Sequence, residues 1–98
     1  MRIWLDDIRE MPDGFDVWCK DTFHALRLIV DRKVSYISFD HDLGCKNGQT
    51  GYDLASAIEE LAYYKIVAPI AWDIHSANPV GRKNIEMAMR SAERYWKQ

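Results

Sequence analysis

The 98-residue chain has no long apolar run, few cysteines and prolines, and almost no excess of charge of either sign. No stretch approaches the ~20 apolar residues of a membrane span and no signal peptide is recognisable, so we expect no membrane association and a cytoplasmic location. The net charge of -2, from 13 basic and 15 acidic residues, does not favour general nucleic-acid binding, because such domains are usually basic. The two cysteines, Cys19 and Cys45, are too few for a disulfide framework and fit no zinc-binding spacing.

Apolar residues make up 48% of the chain and aromatic residues 12%, which is enough for the core of one small domain. The chain is too short for two domains, and no repeat, low-complexity stretch or linker divides it. Residues 1–98 are therefore expected to form a single domain. A small phosphorylated ligand remains compatible with the balanced charge, because it needs only a local cationic pocket.

Short apolar runs alternate with helical patterns along the chain. Four runs have the composition of strands, at residues 3–5, 15–20, 34–39 and 68–74. Three helices are indicated by apolar spacing and by start residues, which are Asp21 or Thr22, Thr50 with Asp53, and Asn78 with Pro79. The resulting order, β-β-α-β-α-β-α, predicts an α/β fold whose parallel strands are joined by right-handed crossovers.

Polar side chains follow three of the four predicted strands at the point where each strand ends. Asp6 and Asp7 follow the first strand, Asp40 follows the third, and His75 with Ser76 follows the fourth. Ligands of parallel α/β sheets bind beyond the carboxyl ends of the strands. The sequence therefore predicts a polar site at this edge of the sheet.

The chemistry of these residues points to a divalent cation. Asp6, Asp7 and Asp40 would repel one another at one edge unless a cation joined them. Carboxylate oxygens suit Mg²⁺ or Mn²⁺, and such ions commonly share their coordination sphere with substrate phosphate. His75 is a candidate general acid or base, because the unperturbed pKa of histidine lies near neutrality.

A phosphate site is predicted beside the metal site. Ser76, Asn78 and Arg82 are expected to hold the phosphate, together with the backbone N–H groups after Asn78, since a helix N-terminus binds anions. Arg82 or Arg9 can neutralise further negative charge. Asn78 would also be expected at a helix start without any ligand.

Several of these residues have simpler structural explanations. Asp6 and Asp7 could cap a turn at the end of a strand. Asp42 is expected to orient a loop or lend a backbone carbonyl, rather than to bind metal with its side chain. We expect His41 to be solvated or structural, and His24 to be exposed on a helix.

Four motifs lie in order along residues 5–84: LDDIR, FDHDLG, TGYDLA and HSANPVGRKN. The pattern of strand–Asp-Asp, strand–Asp and strand–Ser-Ala resembles the receiver domains of bacterial response regulators. In that resemblance, Asp40 falls at the phosphoacceptor position and Ser76 at the hydroxyl position after the fourth strand. The four motifs together resemble, more specifically, the receiver-like family proposed to process cyclic phosphates.

The resemblance implies a compact, flavodoxin-like, three-layer α/β sandwich with a short and mainly parallel four-stranded sheet. Two departures from ordinary receivers are expected. Little chain separates the first two strands, so the first helix should be missing, and the fifth strand with its phosphate-sensing lysine should be missing as well. Phosphorelay signalling is therefore not expected, whereas the acidic pocket is retained.

The resulting hypothesis is a metal-dependent phosphoesterase that hydrolyses a cyclic phosphate, in a cyclic nucleotide or at an RNA end. Asp40 would be a metal ligand and a conceivable nucleophile, and His75 would transfer the proton. The alternative is a non-catalytic module, which either binds a nucleotide without cleaving it or docks a partner protein. A homodimer is a further possibility, because the last helix carries Met87, Met89, Tyr95 and Trp96 on more than one face.

Overall fold

The computed structural model describes residues 1–44 and 48–98, so Cys45 and the predicted loop residue Asn47 lie outside the described residues. The order of elements is the one that the sequence predicts. Their bounds are β1 Arg2–Leu5, β2 Val17–Cys19, α1 Thr22–Val30, β3 Tyr36–Phe39, α2 Gly51–Tyr63, β4 Ala71–Ile74 and α3 Pro79–Trp96.

The four strands form one sheet in the order β2-β1-β3-β4, and every neighbouring pair is parallel. Leu5 pairs with Phe39, and Phe39 pairs with Ile74, so these strands end at the same level of the sheet. The predicted receiver-like α/β fold with a parallel four-stranded sheet is confirmed. All the carboxyl ends lie at one edge, where the sequence predicts the site.

Each helix begins at a polar residue that the sequence predicts as its start. The side chains of Asp21 and Asn78 each accept a hydrogen bond from the backbone N–H three residues further on. Thr50 and Asp53 form a reciprocal capping box, and Pro79 occupies the first turn of α3. Because α2 and α3 are the elements that follow the parallel strands β3 and β4, their N-termini lie at the carboxyl edge of the sheet.

One face of the sheet packs against all three helices. Its buried residues Ile3, Leu5, Cys19, Ile37, Phe39 and Ile74 belong to the same hydrophobic cluster as the helix residues Ala25, Ile29, Leu54, Ala55, Ile58, Ala62, Ile85, Ala88, Met89 and Ala92. Fully burying a large apolar side chain contributes roughly 1.5–3 kcal/mol, so this cluster supplies most of the stability. Burial raises the pKa of the Cys19 thiol to about 12, which marks it as a structural cysteine.

The opposite face of the sheet, called the open face below, is covered by no helix of the described chain. Arg2 and Asp73 are exposed there, whereas Trp4 and Tyr36 are half-buried and contact the ring of Phe15 from the connection between β1 and β2. That connection is fully described and forms no helix, as the sequence predicts. The predicted sandwich is therefore refined to a sheet with helices on one side, because the described chain provides no helix for its third layer.

The surface of α3 is less available than its sequence suggests. Met89 is fully buried in the core, and Tyr95 and Trp96 are half-buried, so Met87, at 62% exposed, is the apolar residue among these four that faces solvent. Within the described ranges, no helix is both long enough and apolar enough to cross a lipid bilayer.

Candidate functional site

Three side chains from three strand ends meet at the carboxyl edge of the sheet. They are Asp6 after β1, Asp40 after β3 and His75 after β4. One oxygen of each carboxylate and one ring nitrogen of the histidine all lie within 4.8 Å of one another. Asp6 is 1% exposed and Asp40 8% exposed, and His75 is half-buried, so the cluster is largely withdrawn from solvent.

The backbone of the sheet places these residues. The N–H groups of Asp6, Asp40 and His75 each donate to the carbonyl of the last residue of a neighbouring strand, over 3.1, 3.0 and 2.9 Å. Each residue therefore extends its strand by one position. Because side chains alternate along a strand, all three project on the face that also carries Trp4 and Ser38.

Asp6 is held as a carboxylate by its hydrogen bonds. Its Oδ1 accepts from the backbone N–H groups of Ile8 and Arg9, each over 2.8 Å, and its Oδ2 lies 2.9 Å from Nε2 of His75. Burial by itself would raise the pKa of Asp6, but these hydrogen bonds outweigh burial and lower it. Asp6 is consequently a fixed negative charge at neutral pH.

Asp40 has the opposite tendency. Burial, and then the negative charge of Asp6, raise the pKa of Asp40, although hydrogen bonds from the Ser76 hydroxyl and from the His41 backbone N–H act against that rise. The ionised form of Asp40 is thus costly in the metal-free protein. A cation between the two carboxylates would remove that cost.

The ring of His75 is contacted on three sides. It stacks on the indole of Trp4 with centroids 3.8 Å apart and planes 7° from parallel. Its Nδ1 lies 2.7 Å from Oγ of Ser38, and its Nε2 faces Asp6. Burial lowers the pKa of His75 more than the neighbouring carboxylates raise it, so the ring is neutral at pH 7.

These donors fit a divalent cation. The two carboxylates offer the hard oxygen ligands that suit Mg²⁺ and Mn²⁺, and the negative charge of Asp6 adds to burial in raising the pKa of Asp40. The neutral imidazole of His75 adds a nitrogen donor, which transition metals accept more readily than Mg²⁺ does.

The chain matches the model of the cyclic-phosphate processing receiver domain over residues 1–91, a range that includes the whole sheet, α1, α2 and most of α3. It belongs to this family. Neither a curated protein nor a solved structure matches the chain.

In this family member, Ser76 faces the carboxylate cluster and Asn78 begins α3. Ser76 is 4% exposed, its hydroxyl donates to Asp40, and its Oγ accepts from the backbone N–H of Asn78 over 3.2 Å. The side-chain oxygen of Asn78 accepts from the N–H of Gly81 over 2.9 Å. Asn78 therefore serves as a helix cap, and the first turn of α3 stands beside the cluster.

Two arginines hold the backbone beside the cluster. Arg82 donates through Nη1 to the carbonyl oxygens of Ile74 and Ser76, over 2.9 and 3.1 Å. Arg9 donates through Nη1 to the carbonyl oxygen of His75 over 2.7 Å. Three successive carbonyls, from the last residue of β4 into the connection to α3, are therefore held by two guanidinium groups.

Asp7 is not brought into the cluster. Among the described residues, the metal-ligating groups that come together do not include it. Its Oδ2 instead lies so close to Gly44 that a Cβ added there would be 2.6 Å away, and the φ of Gly44 is +59°. Asp7 thus packs against the start of the β3–α2 connection, whereas Asp6 points to the site.

His41 and Asp42 link the end of β3 to the start of α3. Nδ1 of His41 lies 2.9 Å from Oδ1 of Asp42, and this hydrogen bond lowers the pKa of Asp42. The His41 ring packs so closely on Gly81 that a Cβ added there would be 2.2 Å from it. Both residues have the structural surroundings that the sequence suggests, and His24 is exposed on α1 as expected.

Gly51 lets the first turn of α2 approach the site. Its N–H donates to the carbonyl oxygen of His41 over 2.9 Å, and a Cβ added to it would lie 1.9 Å from the backbone oxygen of Asp40. The absence of a side chain here allows α2 to begin directly against the strand end that carries Asp40.

Sequence reasoning missed two residues of the site, Ser38 and Trp4. Each lies two positions before an acidic residue of the cluster, Ser38 before Asp40 and Trp4 before Asp6. The period of two along a strand could have found them, because it places such residues on one face.

Proposed function

We propose that this domain is a metal-dependent phosphoesterase that hydrolyses a cyclic phosphate, in a cyclic nucleotide or at an RNA end. The observation that carries the proposal is the convergence of Asp6, Asp40 and His75 within 4.8 Å in a domain of this family. The proposed partner is a small phosphorylated ligand or nucleotide in the cytoplasm.

Asp6 and Asp40 would hold Mg²⁺ or Mn²⁺, with His75 in reach as a further donor. A cation of this kind, when bound, polarises a phosphoryl oxygen and makes its bound water more acidic. Asp40 also remains a conceivable nucleophile, because its carboxylate lies at the same edge as the proposed phosphate contacts.

His75 is the proposed proton-transfer residue. Its ring is neutral at pH 7, so a ring nitrogen that carries no proton and binds no cation can take a proton from an attacking water and return it to the leaving oxygen. The stack on Trp4 keeps the ring plane fixed during that transfer. Asp6 favours the protonated ring, since its carboxylate faces Nε2.

Ser76 and the first turn of α3 are proposed to hold the phosphate. Their hydroxyl and N–H groups lie beside the carboxylates at a helix N-terminus, where anions are favoured. Arg82 is already hydrogen-bonded to two carbonyls, but a guanidinium has five N–H donors and can contact an anion through the others.

The test combines cleavage with binding on the same ligands. Cyclic mono-, di- and oligonucleotides are offered with Mg²⁺ or Mn²⁺, and turnover is measured beside a calorimetric titration. His75→Ala should lower turnover by ~10²–10⁴-fold, the usual contribution of a general acid–base residue, with little change in nucleotide affinity at saturating metal. His24→Ala is the matched control, because His24 is exposed on α1 and should leave both quantities unchanged.

Two outcomes would contradict the proposal. Full turnover in His75→Ala would remove this residue from the mechanism. Tight binding without cleavage in the wild type would instead make the domain a non-catalytic nucleotide-binding module. Arg82→Ala should weaken binding more than it slows cleavage if Arg82 contacts the phosphate.

A further inference from the structure

Ser38 is a polar residue in the middle of the sheet, where a hydroxyl is costly to bury. It lies in β3 between Trp4 of β1 and Asp73 of β4, and it is 3% exposed. Burying a hydroxyl that makes no hydrogen bond destabilises the folded protein, because the hydroxyl loses the hydrogen bonds that it makes to water in the unfolded chain. Ser38 directs its hydroxyl to Nδ1 of His75 at 2.7 Å.

This contact completes a set that leaves the His75 ring little freedom to move. Ser38 contacts Nδ1, Asp6 contacts Nε2, and Trp4 covers one face of the ring. A change in the chemistry of His75 must therefore occur with the ring in place. The proton of the neutral ring can, however, lie on either Nδ1 or Nε2.

Depending on which ring nitrogen of His75 carries the proton, the Ser38 hydroxyl must either donate a hydrogen bond to Nδ1 or accept one from it. The carboxylate of Asp6 is an acceptor, so in the metal-free protein a neutral His75 carries its proton on Nε2, and Nδ1 accepts from the Ser38 hydroxyl. If Nε2 is to bind a cation or take a proton, it needs a free electron pair. The proton of the neutral ring then lies on Nδ1 and donates to Oγ of Ser38.

A hydroxyl can meet both requirements because it both donates and accepts, whereas a backbone carbonyl or a carboxylate can only accept. Between the two situations the ring gains one proton at Nδ1 and loses one from Nε2, and solvent water supplies and receives them. The net charge of the ring is unchanged.

We propose that Ser38 is a positioning residue that lets His75 exchange tautomers in place and so present the electron pair of Nε2 to the Asp6–Asp40 cluster. The importance of that electron pair for metal binding and proton transfer rests on the proposed function. The tautomer of His75 in the metal-free protein does not.

The experiment measures the ring protons directly and metal affinity separately. Nitrogen-15 NMR of histidine-labelled protein should find the proton of His75 on Nε2 without metal and on Nδ1 after addition of Zn²⁺, a diamagnetic probe that accepts imidazole nitrogen. In Ser38→Ala, Mn²⁺ affinity measured by calorimetry should fall by ~10–100-fold, the usual effect of removing an outer hydrogen bond to a metal-bound histidine.

Two variants separate the hydroxyl from general damage. Ser38→Thr keeps the hydroxyl and should restore Mn²⁺ affinity to within a few-fold of the wild type. Ser35→Ala is the matched control, because its exposed hydroxyl bonds the carbonyl of Met1 and lies away from His75. If Ser38→Ala does not fold, Ser38→Cys replaces it in the metal-free NMR measurement, since a thiol is only a weak hydrogen-bonding group.

Unchanged Mn²⁺ affinity in Ser38→Ala, together with an unchanged Nδ1 signal in the metal-free protein, would overturn the proposal. A wild type that neither binds metal nor cleaves any cyclic phosphate would defeat the proposed function instead. In that case the Nδ1 signal of His75 in the metal-free protein still tests whether Ser38 hydrogen-bonds the ring. It should shift in Ser38→Ala and return in Ser38→Thr if Ser38 hydrogen-bonds the ring, and no shift would refute the contact.

Discussion

The two faces of the sheet are built from alternate residues of the same strands, but they differ in kind. On the helix-covered face, Leu5 and Phe39 are fully buried in the hydrophobic cluster. One position further on, Asp6 and Asp40 project on the open face and meet His75. Close packing of apolar side chains determines the arrangement on the helix-covered face, whereas hydrogen bonds determine the arrangement on the open face. A single residue step therefore separates the stability of this domain from its proposed chemistry.

The sharpest test of this separation is a cavity on the helix-covered face. Phe39→Ala should lower the free energy of unfolding by ~3–5 kcal/mol, because it removes a fully buried aromatic side chain. Urea denaturation followed by circular dichroism measures the loss. Asp73→Asn, on the open face of β4, is the control and should change stability by less than ~0.5 kcal/mol. Similar losses in both variants would show that the faces do not differ as described.

On the open face, the largest effect should come from metal. Mn²⁺ at ~100 times its dissociation constant should stabilise the folded protein by ~2.7 kcal/mol, which a melting curve in a domain of this size detects easily. Asp40→Asn should abolish that gain, and the same Asp73→Asn control should keep it. If Mn²⁺ does not change the melting temperature of the wild type, the open face does not hold the proposed cation site.

Without metal, Asp40→Asn should be more stable than the wild type at neutral pH. The raised pKa of Asp40 means that its ionised form is disfavoured in the folded state, first by burial and then by Asp6. This cost is present above the pKa that Asp40 has in the unfolded chain. It disappears as the pH falls below that value, because Asp40 is then protonated in both the folded and the unfolded state. Equal stability of the two proteins at neutral pH would contradict this account.

Gly51 and Gly81 lie where the first turns of α2 and α3 pack closely on Asp40 and His41, and substituting them tests how tight these contacts are. A Cβ at Gly51 would lie 1.9 Å from a backbone oxygen of Asp40, whereas a Cβ at Gly81 would meet the side chain of His41. Gly51→Ala should therefore cost ~1–3 kcal/mol, as overpacking does, and should weaken Mn²⁺ binding by displacing Asp40. Gly81→Ala should cost less, since a ring moves more easily than a strand. The reverse order in chemical denaturation would refute the proposed tight contact.

The smallest expected effect is the pH dependence due to His75. Its pKa is lower in the folded state than the unfolded value of ~6.5, so as the pH falls the unfolded chain takes up the proton first. The stability that this difference contributes is complete above ~pH 6.5 and is lost as the pH falls toward the folded pKa. The wild type should thus lose stability relative to His75→Gln on acidification, and His24→Gln should follow the wild type. Parallel curves for wild type and His75→Gln would disprove the shift.

Local signals explain why so much of the fold could be predicted. The starts of the helices at Asp21, Thr50 and Asn78 depend on hydrogen bonds to backbone groups three residues away, which the sequence shows directly. The meeting of an acid from the Asp6–Asp7 pair with His75 was also predictable, because parallel strands end at one edge of the sheet.

The rest depended on information that a sequence pattern does not contain. In the pair Asp6–Asp7, neighbouring side chains point to opposite faces, and only the register with β3 shows which of them meets Asp40. Ser38 looks like a minor interruption of an apolar strand until β4 brings His75 beside it. The direction of a long side chain such as Arg82 likewise depends on which carbonyls the folded backbone leaves nearby.

The hydrogen bond between Asp6 and His75 joins residues 69 positions apart, and this separation sets the order in which the site can be assembled. In the strand order β2-β1-β3-β4, the first three strands can pair before β4 is added at the edge. The imidazole reaches the cluster only when that last strand docks. A local detachment of β4 and α3, short of global unfolding, would therefore dismantle the site while most of the sheet persisted. The proposed chemistry consequently requires β4 to stay docked, whereas the pairing of the first three strands does not.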